Sequence, residues 1–208
     1  MHRYIAIEGN IGAGKTTVAR LLAEQLNARL VLERFADNPF LPQFYTDRAK
    51  FAFPVEMSFL ADRYRQALEL FHSDLFAERT ISDFFFAKSM LFARINLMES
   101  ERELFKEFYS ILESKLPNPE LIVYLNRPME VLQQNIQKRG RSYEAILETD
   151  YLKMVQESYM DYLRQVSDIP VLVVHCGAID FTANEQALLS LQMGVKSAQN
   201  QGVTHIEL

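Results

Sequence analysis

Residues 4–26 read YIAIEGNIGAGKTTVARLLAEQL. Residues 4–8 form a short apolar run of the kind that makes a buried strand, and residues 15–26 carry apolar side chains at three- and four-residue spacing, the mark of a helix. Between them, residues 9–16 match G-x-x-x-x-G-K-T, in the strand–turn–helix context that a phosphate-binding loop requires. Gly9, Gly12 and Gly14 permit backbone conformations that a side chain would block. The backbone N–H groups of Asn10, Ile11 and Ala13, with those opening the helix as far as Thr17, can then converge on phosphate oxygens. Lys15 reaches the β- and γ-phosphates, and the Thr16 hydroxyl is the expected ligand of magnesium. The segment therefore predicts a nucleoside triphosphate site. It leaves the reaction open, because kinases, motors and switches all use such a loop.

The pattern continues outward. Apolar runs at residues 30–33, 75–82, 121–125 and 171–175 read as four more strands. Helical spacing covers 55–71, 84–116, 129–139, 143–166 and 182–197. Pro128 follows a strand and suits a first helical turn. Regular alternation of strand and helix predicts an α/β fold, a five-stranded parallel sheet with helices on both faces. Ligands in such sheets sit at the carboxyl ends of the strands. No linker or repeat interrupts the pattern, so residues 1–208 are expected to form one domain. The tail after Gln199 is polar and reads as partly disordered.

Composition excludes several classes. With 22 basic and 27 acidic side chains the net charge is -5, unsuited to a nucleic-acid backbone. Cys176 is the only cysteine, so no intrachain disulfide or thiolate cluster can form. His2, His72, His175 and His205 lack metal-ligand spacing. The N-terminus opens without a signal segment, and no run of 18 apolar residues occurs. The expectation is a cytoplasmic chain with neither membrane nor nucleic-acid partner.

Five blocks recur in order along nearly the whole sequence: EGNIGAGKTT at 8–17, Leu-Glu-Arg at 32–34, Glu-Arg-Thr with Ser-Asp at 78–83, Arg-Gly-Arg-x-x-Glu at 139–144, and Asp180–Phe181. Together they resemble the deoxyribonucleoside kinases, the family of deoxycytidine, deoxyguanosine and deoxyadenosine kinases. The resemblance implies a P-loop kinase fold with a lid over about residues 137–147, ATP as phosphoryl donor, magnesium, and a homodimer formed by a helix pair within 84–116. It casts Glu33 as the general base toward the acceptor 5′-hydroxyl, assistance typically worth about two to four orders of magnitude. It gives Glu78 a share of the magnesium, whose hard charge prefers oxygen, and sets Arg79 between the acceptor oxygen and the transferred phosphoryl. Arg139 and Arg141 become lid cations that neutralise developing charge. A helix C-terminus also favours basic residues, which accounts for Arg139 better than for Arg141. Asn135 stands where a further basic residue is common and is assigned no phosphate contact.

For the acceptor, the resemblance matches Tyr45 and Glu144 to the pair on the sugar 3′-hydroxyl. Arg63 and Asp83 match the charged pair at the base edge, and Phe86 matches the stacking aromatic, although which of Phe84, Phe85 and Phe86 faces the base is open. Relatives commonly place glutamine where this chain has Glu56. An ionised glutamate only accepts hydrogen bonds, so bases offering N–H donors are favoured and thymine is disfavoured. A purine deoxynucleoside is the expected substrate, with deoxycytidine next, unless Glu56 pairs with Arg63 instead. Asp180 and Phe181 stand where relatives cradle the donor adenine, or open a helix into Thr182. The expected reaction turns ATP and a 2′-deoxynucleoside into ADP and the 5′-monophosphate, as in nucleotide salvage. A thymidylate-kinase-like enzyme would need added basic residues for its acceptor's phosphate. A non-catalytic P-loop ATP-binding regulatory module would not need Glu33, Tyr45 and Glu144 together.

Overall fold

The chain threads β1 (Tyr4–Gly9), α1 (Lys15–Gln25), β2 (Arg29–Val31), α2 (Leu41–Thr46), α3 (Arg48–Phe71), β3 (Thr80–Ser82), α4 (Lys88–Asn96) and α5 (Glu99–Glu113). It continues through β4 (Leu121–Asn126), α6 (Met129–Arg139), a 3-10 turn (Ser142–Glu144), α7 (Thr149–Gln165), β5 (Val171–His175), α8 (Glu185–Ser197) and β6 (Val203–Glu207). This is a computed structural model that describes residues 2–35, 38–71, 78–144, 146–198 and 201–208. The strands lie in the order β2-β3-β1-β4-β5-β6, and every pairing is parallel.

Side-chain alternation sorts the strands between two cores, as a period of two requires. Ile5 and Ile7, Leu121, Val123 and Leu125, and Leu172 and Val174 point to one face, under α1 and α8. Ala6, Ile122, Tyr124, Val171 and Val173 point to the other, under α3, α4, α5 and α7. Both faces are dry, which is why these strands read as continuous apolar runs. Among the described residues no helix is long and apolar enough to cross a membrane.

The sheet has six strands where the sequence suggested five. The extra strand, β6, comes from the tail expected to be disordered. It is an edge strand with mostly exposed side chains, so hydrophobic patterning does not reveal it. Its backbone pairs with β5 from Val171↔Val203 to His175↔Glu207. Gly194 in α8 makes room for it, since a Cβ there would lie 2.9 Å from the Ile206 side chain.

Other boundaries also shift. The predicted strand 75–82 reduces to Thr80–Ser82, and its first residues, 75–77, fall outside the described residues. Helix α3 starts earlier than expected and runs through Pro54. The predicted helix 84–116 breaks at Leu97–Met98, where Glu101 accepts the Met98 N–H at 3.1 Å and starts α5. The predicted helix 143–166 separates into the 3-10 turn and α7. Helix α8 begins at Glu185, after Asn184 caps it by accepting the Ala187 N–H at 2.9 Å.

Candidate active site

The glycine-rich loop follows β1 directly. Gly12 has φ +82°, and a Cβ there would fall 2.6 Å from the Leu132 carbonyl oxygen, so only glycine fits. Asn10 is buried and pins the loop: it donates to the Leu152 carbonyl at 2.7 Å, and its side-chain oxygen accepts the Ile11 N–H at 2.7 Å. Asn135 donates to the Gly12 carbonyl at 2.8 Å, a bracing role for the loop backbone. Lys15 donates to the Gly9 and Asn10 carbonyls, both at 2.9 Å. Burial lowers its pKa to about 8, and the nearby charge of Lys88 acts in the same direction.

Arg127, at the end of β4, joins this loop to the one after β5. It donates to the Ala13 carbonyl at 2.9 Å, to Gly177 at 3.1 Å and to Ile179 at 2.8 Å. Its guanidinium also lies 5.6 Å from the ring centre of buried Phe181. Asp180 accepts from the Thr182 N–H at 2.9 Å and from its hydroxyl at 2.6 Å. That carboxylate therefore shapes a turn, while Phe181 packs under Arg127.

A second cluster centres on Glu33, just past β2. It accepts from Arg63 Nε at 2.7 Å and from Lys88 Nζ at 2.6 Å. Burial alone would raise its pKa, but the two cations outweigh that and hold it down at about 2. Asp83, just past β3, links this carboxylate to the loop. One of its oxygens accepts the Thr16 hydroxyl at 2.5 Å, and the other accepts the Glu33 N–H at 2.7 Å.

Four expectations are corrected here. Glu78 and Arg79 do not end the third strand; they precede it. Thr80 lies opposite Tyr4 and Arg29, the first residues of their strands, so the pair sits at the amino edge of the sheet, away from the loop. Glu78 is exposed, and among the described residues the Arg79 side chain donates to the Leu26 carbonyl at 3.5 Å. Asp83 does not pair with Arg63; it takes the place beside Thr16 that was expected of Glu78. Arg63 instead donates to Ser89 Oγ at 3.0 Å as well as to Glu33. Phe86 is buried against Tyr109, with ring centres 5.0 Å apart, and Phe84 and Phe85 are core. Phe59 and Phe92, by contrast, line the cavity, together with Phe44, Tyr45 and Tyr151.

Glu56 does not hydrogen-bond Arg63. Its Oε1 accepts from Asn96 at 2.6 Å, and its buried Oε2 has no partner among the described residues. Burial raises its pKa to about 7, against the opposing influence of Arg63. The residues expected to form a lid meet one another: Glu144, buried, accepts from Arg139 at 2.6 and 3.0 Å and from Arg141 at 3.0 Å. Arg141 also covers the Phe35 ring at 3.8 Å. Tyr45 stacks on Tyr143 with ring centres 5.6 Å apart, and burial raises its pKa.

One cavity of about 1020 Å³ connects these parts and is lined by Lys15, Thr16, Glu33, Glu56 and Asn96. That is the size of a site for a substantial organic ligand. Sequence reasoning missed Lys88, Asn96 and Arg127. The one available signal was Asp83 itself, an acid directly after an apolar strand.

A family model for deoxynucleoside kinase matches residues 5–197. The chain is 34% identical over 200 residues to a deoxyguanosine kinase of Bacillus subtilis, covering 93% of this chain and 96% of that one. It is 31% identical over 176 residues to a deoxyadenosine kinase of Dictyostelium discoideum, covering 83% and 71%. Among solved structures it resembles a deoxyadenosine kinase from M. mycoides with bound dCTP, at a TM-score of 0.76 and 26% identity, covering 92% of this chain and 97% of that one.

Proposed function

Because the chain belongs to the deoxynucleoside kinase family, we propose that it transfers the γ-phosphoryl of ATP to the 5′-hydroxyl of a purine 2′-deoxynucleoside, in cytoplasmic nucleotide salvage. The observation that carries this reading is the bridge from Thr16 through Asp83 to Glu33, which joins the phosphate loop to an acceptor carboxylate in two hydrogen bonds.

Thr16 and Asp83 offer adjacent hard oxygens, a set that fits magnesium, which needs only one or two protein ligands beside phosphate and water. Bound there, the ion would neutralise phosphate charge. Lys15, Arg139 and Arg141 supply further positive charge for the phosphates. Phosphoryl transfer is mostly positioning and charge stabilisation. Glu33 orients the 5′-hydroxyl and takes its proton. With its pKa near 2 it is a weak base, so it receives the proton late, once the hydroxyl oxygen has begun to bond to phosphorus. Tyr45 and Glu144 face the sugar, and Glu56 faces the base. When Glu144 engages the sugar it competes with its own ties to Arg139 and Arg141, which couples acceptor binding to release of the lid cations.

Magnesium-ATP supplied with each of the four deoxynucleosides should yield 5′-monophosphate, best from a purine. Absence of product from all four would overturn the activity, and thymidine as best substrate would overturn the base assignment.

The quaternary state belongs to the same proposal. Helix α5 exposes Leu104, Phe108 and Ile111, with Met98 just before it. The three helical residues recur at four- and three-residue spacing and form one stripe. A second copy is its occupant. Light scattering should give the mass of a dimer, and Phe108→Glu should give a monomer with intact folding. A monomeric wild-type chain would overturn the assignment.

A further inference from the structure

Glu56 is a specificity device of an unusual kind. It is 2% exposed, and it lines the same cavity as the phosphate loop. Its two oxygens differ. Oε1 receives the Asn96 amide N–H at 2.6 Å, and Asn96 is itself hydrogen-bonded to the Tyr151 hydroxyl. Oε2 has no partner among the described residues. A buried polar atom without a partner costs free energy, so it favours a ligand that completes it. Since Oε1 already accepts an N–H, any proton taken up by the carboxyl goes to Oε2. That atom is then an acceptor in the ionised form and a donor in the protonated form.

The two purines differ at the matching point. Guanine carries an N–H at ring position 1, and adenine carries a bare lone pair there. Resting on the purine reading above, we propose that Glu56 Oε2 reads ring position 1: as a carboxylate it accepts the guanine N–H, and after taking one proton from solvent it donates an O–H to adenine. Substrate choice then follows protonation of a protein side chain.

The surroundings allow both forms. Burial favours the neutral acid and raises the pKa to about 7. Arg63 on the same helix, Asn96 and Lys88 on α4 favour the charged form, and Glu33 opposes it. Tyr151 on α7 lies close enough to the carboxyl to feel its charge. Arg63 is largely committed to Glu33 and Ser89, so it does not lock Glu56 in the ionised state.

The test is the ratio of kcat/KM for deoxyguanosine to that for deoxyadenosine, in direct competition. If one substrate needs the carboxylate and the other the acid, the ratio rises about tenfold per pH unit from roughly pH 6 to 8. Glu56→Gln presents an amide N–H toward the cavity, so it should favour deoxyadenosine and flatten the ratio. A wild-type ratio that changes less than about twofold over that range, or a glutamine variant that keeps the slope, overturns the proposal. Calorimetry in two buffers of different ionisation enthalpy gives a second readout. At roughly pH 8, deoxyadenosine binding should take up about one proton and deoxyguanosine about none. This readout does not depend on turnover: absence of product from both nucleosides would sink the kinase reading, while equal proton counts would sink the role of Glu56.

Discussion

Glu33→Gln is expected to lower kcat by about two to four orders of magnitude while leaving ATP binding close to normal. Glutamine keeps the size and one acceptor oxygen, so the 5′-hydroxyl can still be held, but no group remains to take its proton. The same change should also destabilise the fold. Glu33 is the counter-charge of two cations, Arg63 at 2.7 Å and Lys88 at 2.6 Å, whose side chains are 3% and 6% exposed. Removing one partner of a buried pair typically costs about 3–5 kcal/mol, because the charge left behind is neither paired nor hydrated. For a chain of this length that corresponds to a fall in Tm of roughly 2–4 °C per kcal/mol. The pH dependence has a definite sign. The folded pKa of Glu33 is depressed from 4.5 to about 2, so its stabilisation is complete above pH 4.5 and is lost as pH falls toward 2. The gap in stability between wild type and variant should therefore close over that window. A variant that melts lower but turns over normally would remove Glu33 from the proton-transfer role and leave it a purely structural one.

Lys88→Met is the second large effect. Lys88 donates to Glu33, lines the cavity, and lies near enough to Lys15 to perturb it. Its loss should cut kcat by about two orders of magnitude, because Glu33 loses one of the two cations that fix it in the general-base role, a role worth about two to four orders. It should also leave a signature that simple loss of packing would not. With one of its two cations gone, Glu33 protonates more readily, so the acid limb of the kcat/KM profile should move to higher pH. Lys88→Arg restores the charge and should recover part of both effects. A kcat within about threefold of wild type, together with an unmoved acid limb, would show that Lys88 only fills space.

The sheet and the phosphate loop were legible because their signals are local. Residues 9–16 are contiguous, and their backbone forms the site. Glu33 and Glu144 stand out through the blocks that carry the family resemblance, not by position alone, and the structure buries Glu144 and sets Glu33 against two cations on the same cavity. What failed was register along β3. The Glu-Arg pair at 78–79 carries the charges expected at a strand end, but the strand starts after it, and Asp83 occupies the useful end. Nothing in composition distinguishes the two ends of a strand; pairing with Tyr4 and Arg29 does. The three phenylalanines at 84–86 illustrate the same limit. All are buried, and only packing against Tyr109 shows that Phe86 belongs to the core. Lys88 was invisible because its importance lies in a partner 55 positions away in the chain. Strand β6 was invisible because an exposed edge needs no apolar face.

Arg127 has a consequence for how tightly the donor is held. Its three hydrogen bonds reach the carbonyl oxygens of two loops that would otherwise fluctuate independently. A nucleotide spanning both loops would normally surrender part of its binding free energy to freeze them relative to each other, and side-chain and loop ordering is a recognised deduction from affinity. With the guanidinium already fastening one loop to the other, most of that ordering is completed during folding. On the proposed donor site, affinity would then depend partly on a residue whose three hydrogen bonds here go to the protein's own backbone.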